Sequence, residues 1–351
     1  MNTVQTHESN LFPATLRKRI NDYFKEKDTS YKSNNLMNFK IVLGLLWWSL
    51  SYVCIYIFSS SEALFFLLYT FHGLGHIFFS FNVGHDALHN AISKKNSINK
   101  FWAYSYDLLG VNTYMWRFMH HEGHHHCLNV SGEDMSLESS GILRLSEKDS
   151  KKNYHKYQHL YAPIVYGLYL IYYVFVKDFK YFLSKDNIHL QGVKHPMAEY
   201  LKLFLGKLVY LTYMLFLPMY VLPFSWVFIT FVFFFTLFMI GIVMSFTFQA
   251  THIVEATSYP KSKDAYENHV LHVLATTADF STTNKLSNFI FGGLNLHIIH
   301  HLRSDICHTH YPELTKIVKS TVEEFGLNYR ENNTFWGGIK SHLLQLKKLG
   351  N

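Results

Sequence analysis

Histidine is the residue type here that could carry chemistry. The chain has 23 of them in 351 residues, and they cluster. The first cluster is His85-Asp86-Ala87-Leu88-His89. The second is His120-His121-Glu122-Gly123-His124-His125-His126, preceded by Tyr114-Met115-Trp116. The third is His297-Ile298-Ile299-His300-His301, and His252 stands alone in Gln249-Ala250-Thr251-His252. On a helix, residues i and i+4 share a face with Cβ atoms about 5–6 Å apart. His85 with His89, and His120 with His124, are therefore expected to pair. Imidazole suits iron, copper, zinc and nickel, whereas calcium and magnesium want oxygen ligands. A single His pair is ordinary core structure. Three clusters at helical spacing, two of them closed by adjacent histidines, are not. Eight cluster positions plus His252 give enough nitrogen for two metals, each with a position left open for oxygen, which points to oxygen activation by redox metals.

Such a site needs elements that bring distant segments to one place. Four apolar stretches, at about 40–59, 64–83, 203–222 and 224–248, approach the ~20 residues that cross a bilayer. They form two hairpins, with Pro218 and Pro223 near the second turn, where helix breaks are expected. The histidines after the second stretch and after the fourth must meet, so an even number of crossings separates them. The fifth apolar stretch, 160–176, is tyrosine-rich and contains Pro163. On this parity it is expected to be interfacial rather than a crossing. Lys and Arg crowd 17–40, 94–100 and 148–156, the side that carries the histidines, which predicts a cytoplasmic active face. The expectation is an all-α, multi-pass integral membrane protein with four spans and a cytoplasmic helical cap. Residues 1–39 form a basic cytoplasmic segment that does not read as a signal peptide, and 40–351 form one membrane domain.

Composition agrees. The chain is 49% hydrophobic and 17% aromatic but only 16% charged, against about 25% charged in a soluble domain. The net charge of +7 reads as solubility, orientation or contact with anionic lipid, with no nucleic-acid partner. Cys54, Cys127 and Cys307 are widely spaced, so neither a zinc-type pair nor a disulfide framework is implied.

The pattern H-x3-H, H-x3-H-H and H-x2-H-H resembles the membrane fatty acid desaturase family, in its bacterial acyl-CoA or acyl-lipid branch related to front-end desaturases. The likeness extends to His159-Leu160-Tyr161, Gln249–Glu255, Thr276-Thr277-Ala278, Gly292-Gly293-Leu294-Asn295 and His308-Thr309-His310-Tyr311-Pro312. It implies two irons, dioxygen as co-substrate, and a ligand set of His85, His89, His120, His124, His125, His252, His297, His300 and His301. Asp86 would orient a ligand imidazole through its second nitrogen, and His121 and Glu122 would lie just outside the ligands. His72 and His76 share a face of the second span and are expected to be packed neutral histidines or channel lining.

The chain departs from the family pattern beside the metal. His297 stands where front-end members usually have Gln. Ile299 replaces a Glu, Arg303-Ser304 replace Phe-Pro, and the second box carries an unusual Glu122-Gly123 pair. Ile299 removes an acceptor that Glu122 or Asp279 would have to replace. No His-Pro-Gly-Gly haem motif occurs, so electrons would come from a separate protein of ferredoxin or cytochrome b type. The reaction implied is oxygen-dependent removal of two hydrogens from an acyl chain carried on CoA, lipid or acyl-carrier protein. Hydroxylation and acetylenic-bond formation are alternatives on the same scaffold. A His-rich metal transporter is a different class, disfavoured because the clusters fall at the span ends instead of within the bilayer.

Overall fold

The computed structural model of the chain describes residues 3–137, 141–184 and 188–351, with residues 3–10 described by backbone alone. The described chain is helical apart from one two-residue parallel strand pair, β1 (Asp279–Phe280) with β2 (Glu331–Asn332). The first helices are α1 (Thr3–Glu26), α2 (Asn35–Phe58), α3 (Glu62–Phe79), α4 (His85–Leu88), α5 (Asn96–Ala103) and α6 (Thr113–His120). In the middle lie α7 (Gln158–Tyr172), α8 (Asp178–Leu183), α9 (Met197–Leu211), α10 (Leu217–Val221) and α11 (Trp226–His252). The chain ends in α12 (His269–Thr276), α13 (Lys285–Ile290), α14 (His297–Leu302), α15 (Tyr311–Glu324) and α16 (Phe335–Gly350).

The long helices start where short polar side chains satisfy free backbone N–H groups. Asn34 accepts from Met37 N, Ser61 from Leu64 N and Ser225 from Phe228 N, as N-caps do. α3, a π-turn over Ser80–Gly84 and α4 make one continuous helical run, Glu62–Leu88. That run and α11 each have 27 residues, a rise of about 40 Å. The hydrocarbon core of a bilayer is about 30 Å thick. Both helices are therefore long enough to cross and still project their last turns, which carry His85 and His252, beyond the apolar layer.

Among the described residues, five helical runs have the length and hydropathy of a span, one more than the four expected. The fifth is Asn153–Leu183, made of a short 3-10 turn, α7, a π-turn at Tyr173–Lys177, and α8. The run packs antiparallel along α11, with Tyr166 of α7 on Phe246 and Phe175 of the π-turn on Phe234. At one end Gln158 donates to the carbonyls of Arg144 and Leu346. At the other, Phe182 packs on Tyr114, His195 and Tyr200. Proximity of α7 and α11 depends on small residues. A Cβ on Gly241 would lie 2.7 Å from the carbonyl oxygens of Tyr166 and Gly167. Gly241→Leu is thus expected to push the two helices apart at a cost of about 1–3 kcal/mol, read as a lower melting temperature in detergent. An unchanged melting temperature would show that the close approach contributes nothing.

The remaining helices pack over the histidine-bearing ends. α1 lies on α15 through Phe12 against Phe325 and an Arg19–Glu324 ion pair. α16 crosses α7 and α11, where His342 Nδ1 donates to the Ile253 carbonyl and its Nε2 accepts from the Tyr166 hydroxyl. Asn129 joins three segments from one buried position, its amide donating to the carbonyls of His252, Ser258 and Thr276. Its φ of 56° is left-handed backbone, which Asn tolerates better than most residues.

Candidate metal centre

The histidines arrive from four helical segments. His85 and His89 close the run that begins with α3, and His120, His124 and His125 sit at the end of α6 and in the π-turn His121–His125 that follows. His252 ends α11, and His297, His300 and His301 lie on α14. Two glycines allow α14 to reach them. Gly292 and Gly293 both have positive φ, and a Cβ on Gly292 would collide with the Phe81 carbonyl, one on Gly293 with His308 and Tyr311. Only glycine lets that backbone pass so close to the π-turn preceding His85.

All nine expected histidines converge. His85, His89, His120 and His300 each place a ring nitrogen within 4.8 Å of the others, and so do His124, His252, His297 and His301. His125 joins the two groups, with His300 Nε2 at 3.2 Å from its Nε2 and His301 Nδ1 at 3.3 Å from its Nδ1. His120 Nε2 is 3.0 Å from His89 Nε2 and His301 Nε2 is 3.1 Å from His252 Nε2. Helical spacing pairs His120 with His124, but the structure separates them into different groups. The π-turn adds a residue to the turn, so His120 meets His125, with Nε2 atoms 3.1 Å apart, and His124 swings to the other group. Gly123 is part of this device, because a Cβ there would collide with Met135.

The donor set fits metal. Burial first, and then neighbouring imidazoles, hold His120, His125, His297, His300 and His301 well below the usual imidazole range. The rings are neutral at physiological pH and keep a lone pair. His85 Nε2 and both ring nitrogens of His297 are buried without a hydrogen-bond partner. Buried polar atoms left unsatisfied are costly, and a cation at each group would satisfy them. Two such cations would have all-nitrogen ligands, the donor type that suits iron.

Side chains around the histidines fix their orientation, and here the sequence was misleading. Asp134, which no motif singled out, accepts from His124 Nδ1 at 3.0 Å, from the Asn129 and Ser136 N–H groups, and from Ser136 Oγ. Burial opposes its ionisation, but His124 and Ser136 outweigh that and hold its carboxyl below the usual range. Its bond to Nδ1 leaves His124 Nε2 as the free lone pair. Asp86 does not take the expected role: its carboxylate accepts from His308, through the backbone N at 3.0 Å and Nδ1 at 2.9 Å. Lys40 and Asn82 complete that chain, with Lys40 Nζ 2.8 Å from His308 Nε2 and 2.7 Å from Asn82 Oδ1. His121 stacks on His89 at 4.6 Å. Glu122 is exposed and faces His126, so it replaces no acceptor. Asp279 accepts from Ile298 N at the start of α14 and from Tyr329.

Two of the departures have plain structural accounts. Ile299 is 1% exposed and lies in an apolar cluster with Leu296, Leu314 and Val318. Ile299→Glu would bury a carboxylate there and is expected to cost about 3 kcal/mol or more. Thermal unfolding checks this, and a wild-type melting temperature would mean that the carboxylate finds a partner. Arg303 is paired with Asp305 by two hydrogen bonds of 2.8 and 3.0 Å, so the new cation brings its own counter-charge.

An apolar tunnel of about 520 Å³ passes the centre, with His120, His124 and His252 in its wall. Ile142 and Leu168 line one part, α7 and α11 supply the sides, and His76, Leu109 and Tyr210 line another. Trp116 also lines it, its ring 4.3 Å from that of His120.

Residues 60–333 match the profile of the family described as Fatty acid desaturase. The chain is 31% identical to the sn-1 linoleoyl-lipid 6-desaturase of Synechocystis sp., over 97% of this chain and 95% of that protein. It is 30% identical to the acyl-lipid (8-3)-desaturase of Physcomitrium patens, over 98% of this chain and 72% of that protein. It is also 30% identical to the probable Delta(5) fatty acid desaturase C of Dictyostelium discoideum, over 98% and 77%. With its histidine groups set in the wall of an apolar tunnel and a match over most of its length, the chain belongs to the fatty acid desaturase family.

Proposed function

We propose that the chain is an oxygen-dependent desaturase that introduces a double bond into a lipid-bound acyl chain, using two irons held by the nine histidines. The observation that carries the reading is the placing of His120, His124 and His252 in the wall of the apolar tunnel. Iron bound there supplies the activation of dioxygen that removes hydrogen from an unactivated methylene. The protein's own residues do the rest. The tunnel excludes water and fixes which carbons lie beside the histidines. Asp134 orients His124, and Trp116 packs beside His120 at the tunnel wall. Two hydrogens leave the acyl chain, dioxygen becomes two waters, two electrons come from a separate ferredoxin or cytochrome b type protein, and two protons come from solvent.

A lipid carrier is supported by two of the relatives named above, whose names specify linoleoyl-lipid and acyl-lipid. The positions printed in the names of the relatives, a 6-desaturase and a Delta(5) desaturase, support a new bond toward the carboxyl end. We further infer four crossings, with the active face cytoplasmic and Asn153–Leu183 lying oblique to α11 without crossing the bilayer. Its two ends contact Arg144 and Tyr114, segments close to the histidine side, and an even number of crossings between His89 and His252 requires this. Cysteine labelling between α8 and α9 tests it: reaction from the outer side would make the run a true span. The function is tested by metal analysis of purified protein, and by mass spectrometry of lipids from a host with a matching reductase. The expected results are two irons per chain and a new double bond. A hydroxylated or acetylenic product would select the alternative outcome on the same scaffold, and tightly bound zinc with no change in lipids would end the desaturase reading.

A further inference from the structure

A second cavity, of about 530 Å³, lies on the far side of the tunnel wall. It sits between α2, α3, the stretch 101–109 and α9, with Trp48, Phe79, Trp102, Leu205 and Val209 among its sides. The two cavities share His76 and Leu109. Elsewhere adjacent residues take opposite sides: Tyr106 and Tyr210 line the tunnel, while Ser105, Asp107 and Val209 line the second cavity. The partition is thus about one side chain thick.

The partition has an unusual composition. His76 is 3% exposed and lies about two and a half turns before His85 on the same helical run. An ionisable residue within an apolar span usually has a task. Trp48 donates its indole N–H to His76 Nε2, which leaves the ring proton on Nδ1 and holds the imidazole as a neutral plate. Trp48 itself lines the second cavity. Leu109, the other shared residue, ends a short 3-10 turn before Gly110 and is only partly buried. Leu109 and His76 are the residues whose side chains face both spaces.

We propose that the second cavity is the seat for the methyl-terminal segment of long acyl chains, reached from the tunnel across His76 and Leu109. The inference rests on the desaturase reading above. When the oxygen-bearing end stays outside and the reacting carbons lie beside the histidines, every later carbon must continue along the tunnel. The tunnel reaches the partition at His76 and Leu109. A chain that outgrows it meets apolar space behind one leucine and one uncharged ring, and each further methylene buried there is favourable. Continuity with the tunnel commits the cavity to the substrate's own tail, although Phe101, Leu205 and Val209 are exposed enough to touch bilayer lipid.

Val209→Trp tests this, because it fills the second cavity from α9 and Val209 does not line the tunnel. Leu208→Trp, one residue away and lining neither cavity, is the control. Each protein is given icosanoyl and palmitoyl chains on the same glycerolipid. The icosanoyl-to-palmitoyl turnover ratio is expected to fall about tenfold or more in Val209→Trp, since the fit of even one methylene discriminates by that order. It should not move in Leu208→Trp. An unchanged ratio in Val209→Trp would overturn the proposal. A second readout needs no turnover: an icosanoyl lipid with a diazirine at its methyl end is photolysed on wild-type protein and the labelled peptides are mapped. Label is expected on Trp48, Phe79 or Leu205, displaced by unlabelled icosanoyl lipid and lost in Val209→Trp. Label confined to the tunnel at Tyr210 would place the tail elsewhere, and label that unlabelled substrate cannot displace would identify ordinary bilayer lipid. Either result ends the proposal. Crosslinking locates the tail whether or not a double bond forms, whereas failure of the desaturase reading appears as absence of new unsaturation in palmitoyl lipid.

Discussion

His301→Ala is expected to reduce turnover to the background of the host membrane and to lower bound iron. His301 is 4% exposed and stands where the two histidine groups meet. One of its ring nitrogens lies 3.1 Å from His252 Nε2, the other 3.3 Å from His125 Nδ1. No neighbouring group can replace it, because the surrounding donors are themselves histidines already committed to one group or the other. The truncation also leaves a space among neutral imidazoles, which water can fill without supplying an equivalent ligand. Loss of an outer orienting partner typically costs 10–100-fold in metal affinity or activity, and a direct ligand should cost more. Iron stoichiometry and product analysis check this together. Full turnover with iron retained would remove His301 from the ligand set. Loss of folded protein, seen in size-exclusion chromatography, would instead assign it a structural role.

Asp134→Asn is expected to lower turnover by about 10–100-fold and weaken iron retention in parallel, while the protein stays folded. The carboxylate accepts from His124 Nδ1, two backbone N–H groups and Ser136 Oγ. An amide keeps the shape but has one acceptor oxygen in place of two. Its NH2 would face either the Nδ1 proton or a backbone N–H. The imidazole loses its fixed tautomer, and Nε2 no longer presents a lone pair without competition. The readout that separates this from simple destabilisation is iron retention against a chelator: it should fall although the melting temperature of the iron-free protein stays close to wild type. Iron retention equal to wild type would show that Asp134 only braces the loop 129–136. The matching change on the other side, Asp86→Asn, acts through His308 and Lys40 and touches no ligand imidazole directly.

The sequence by itself showed a donor set compatible with metal chemistry. Nine imidazoles in a few short clusters have few uses other than metal ligation, and residue type alone sets that preference. Their position at the ends of long apolar stretches was legible too, because hydropathy over ~20 residues is a local property. Tertiary structure decided which histidines share a group. Spacing at i and i+4 assumes an unbroken α-helical ladder, and the π-turn at His121–His125 replaces that ladder with one residue more per turn. Nothing in the periodicity of five residues announces such a turn, since it is stabilised by Met135 packing against Gly123 from another segment. The carboxylates were misjudged for a related reason. Asp86 sits beside a ligand in the chain but is met by His308, and Asp134 lies ten residues after His124 yet folds back onto it. Which acid serves which imidazole depends on where remote backbone buries it. Ile299 read as a lost acceptor beside the metal, whereas the fold turns that face of α14 into an apolar cluster. The stretch 160–176 carried a polar and aromatic pattern that suggested the interface. Its close packing on α11 follows from Gly167 and Gly241, two residues without side chains whose meeting only the folded chain arranges.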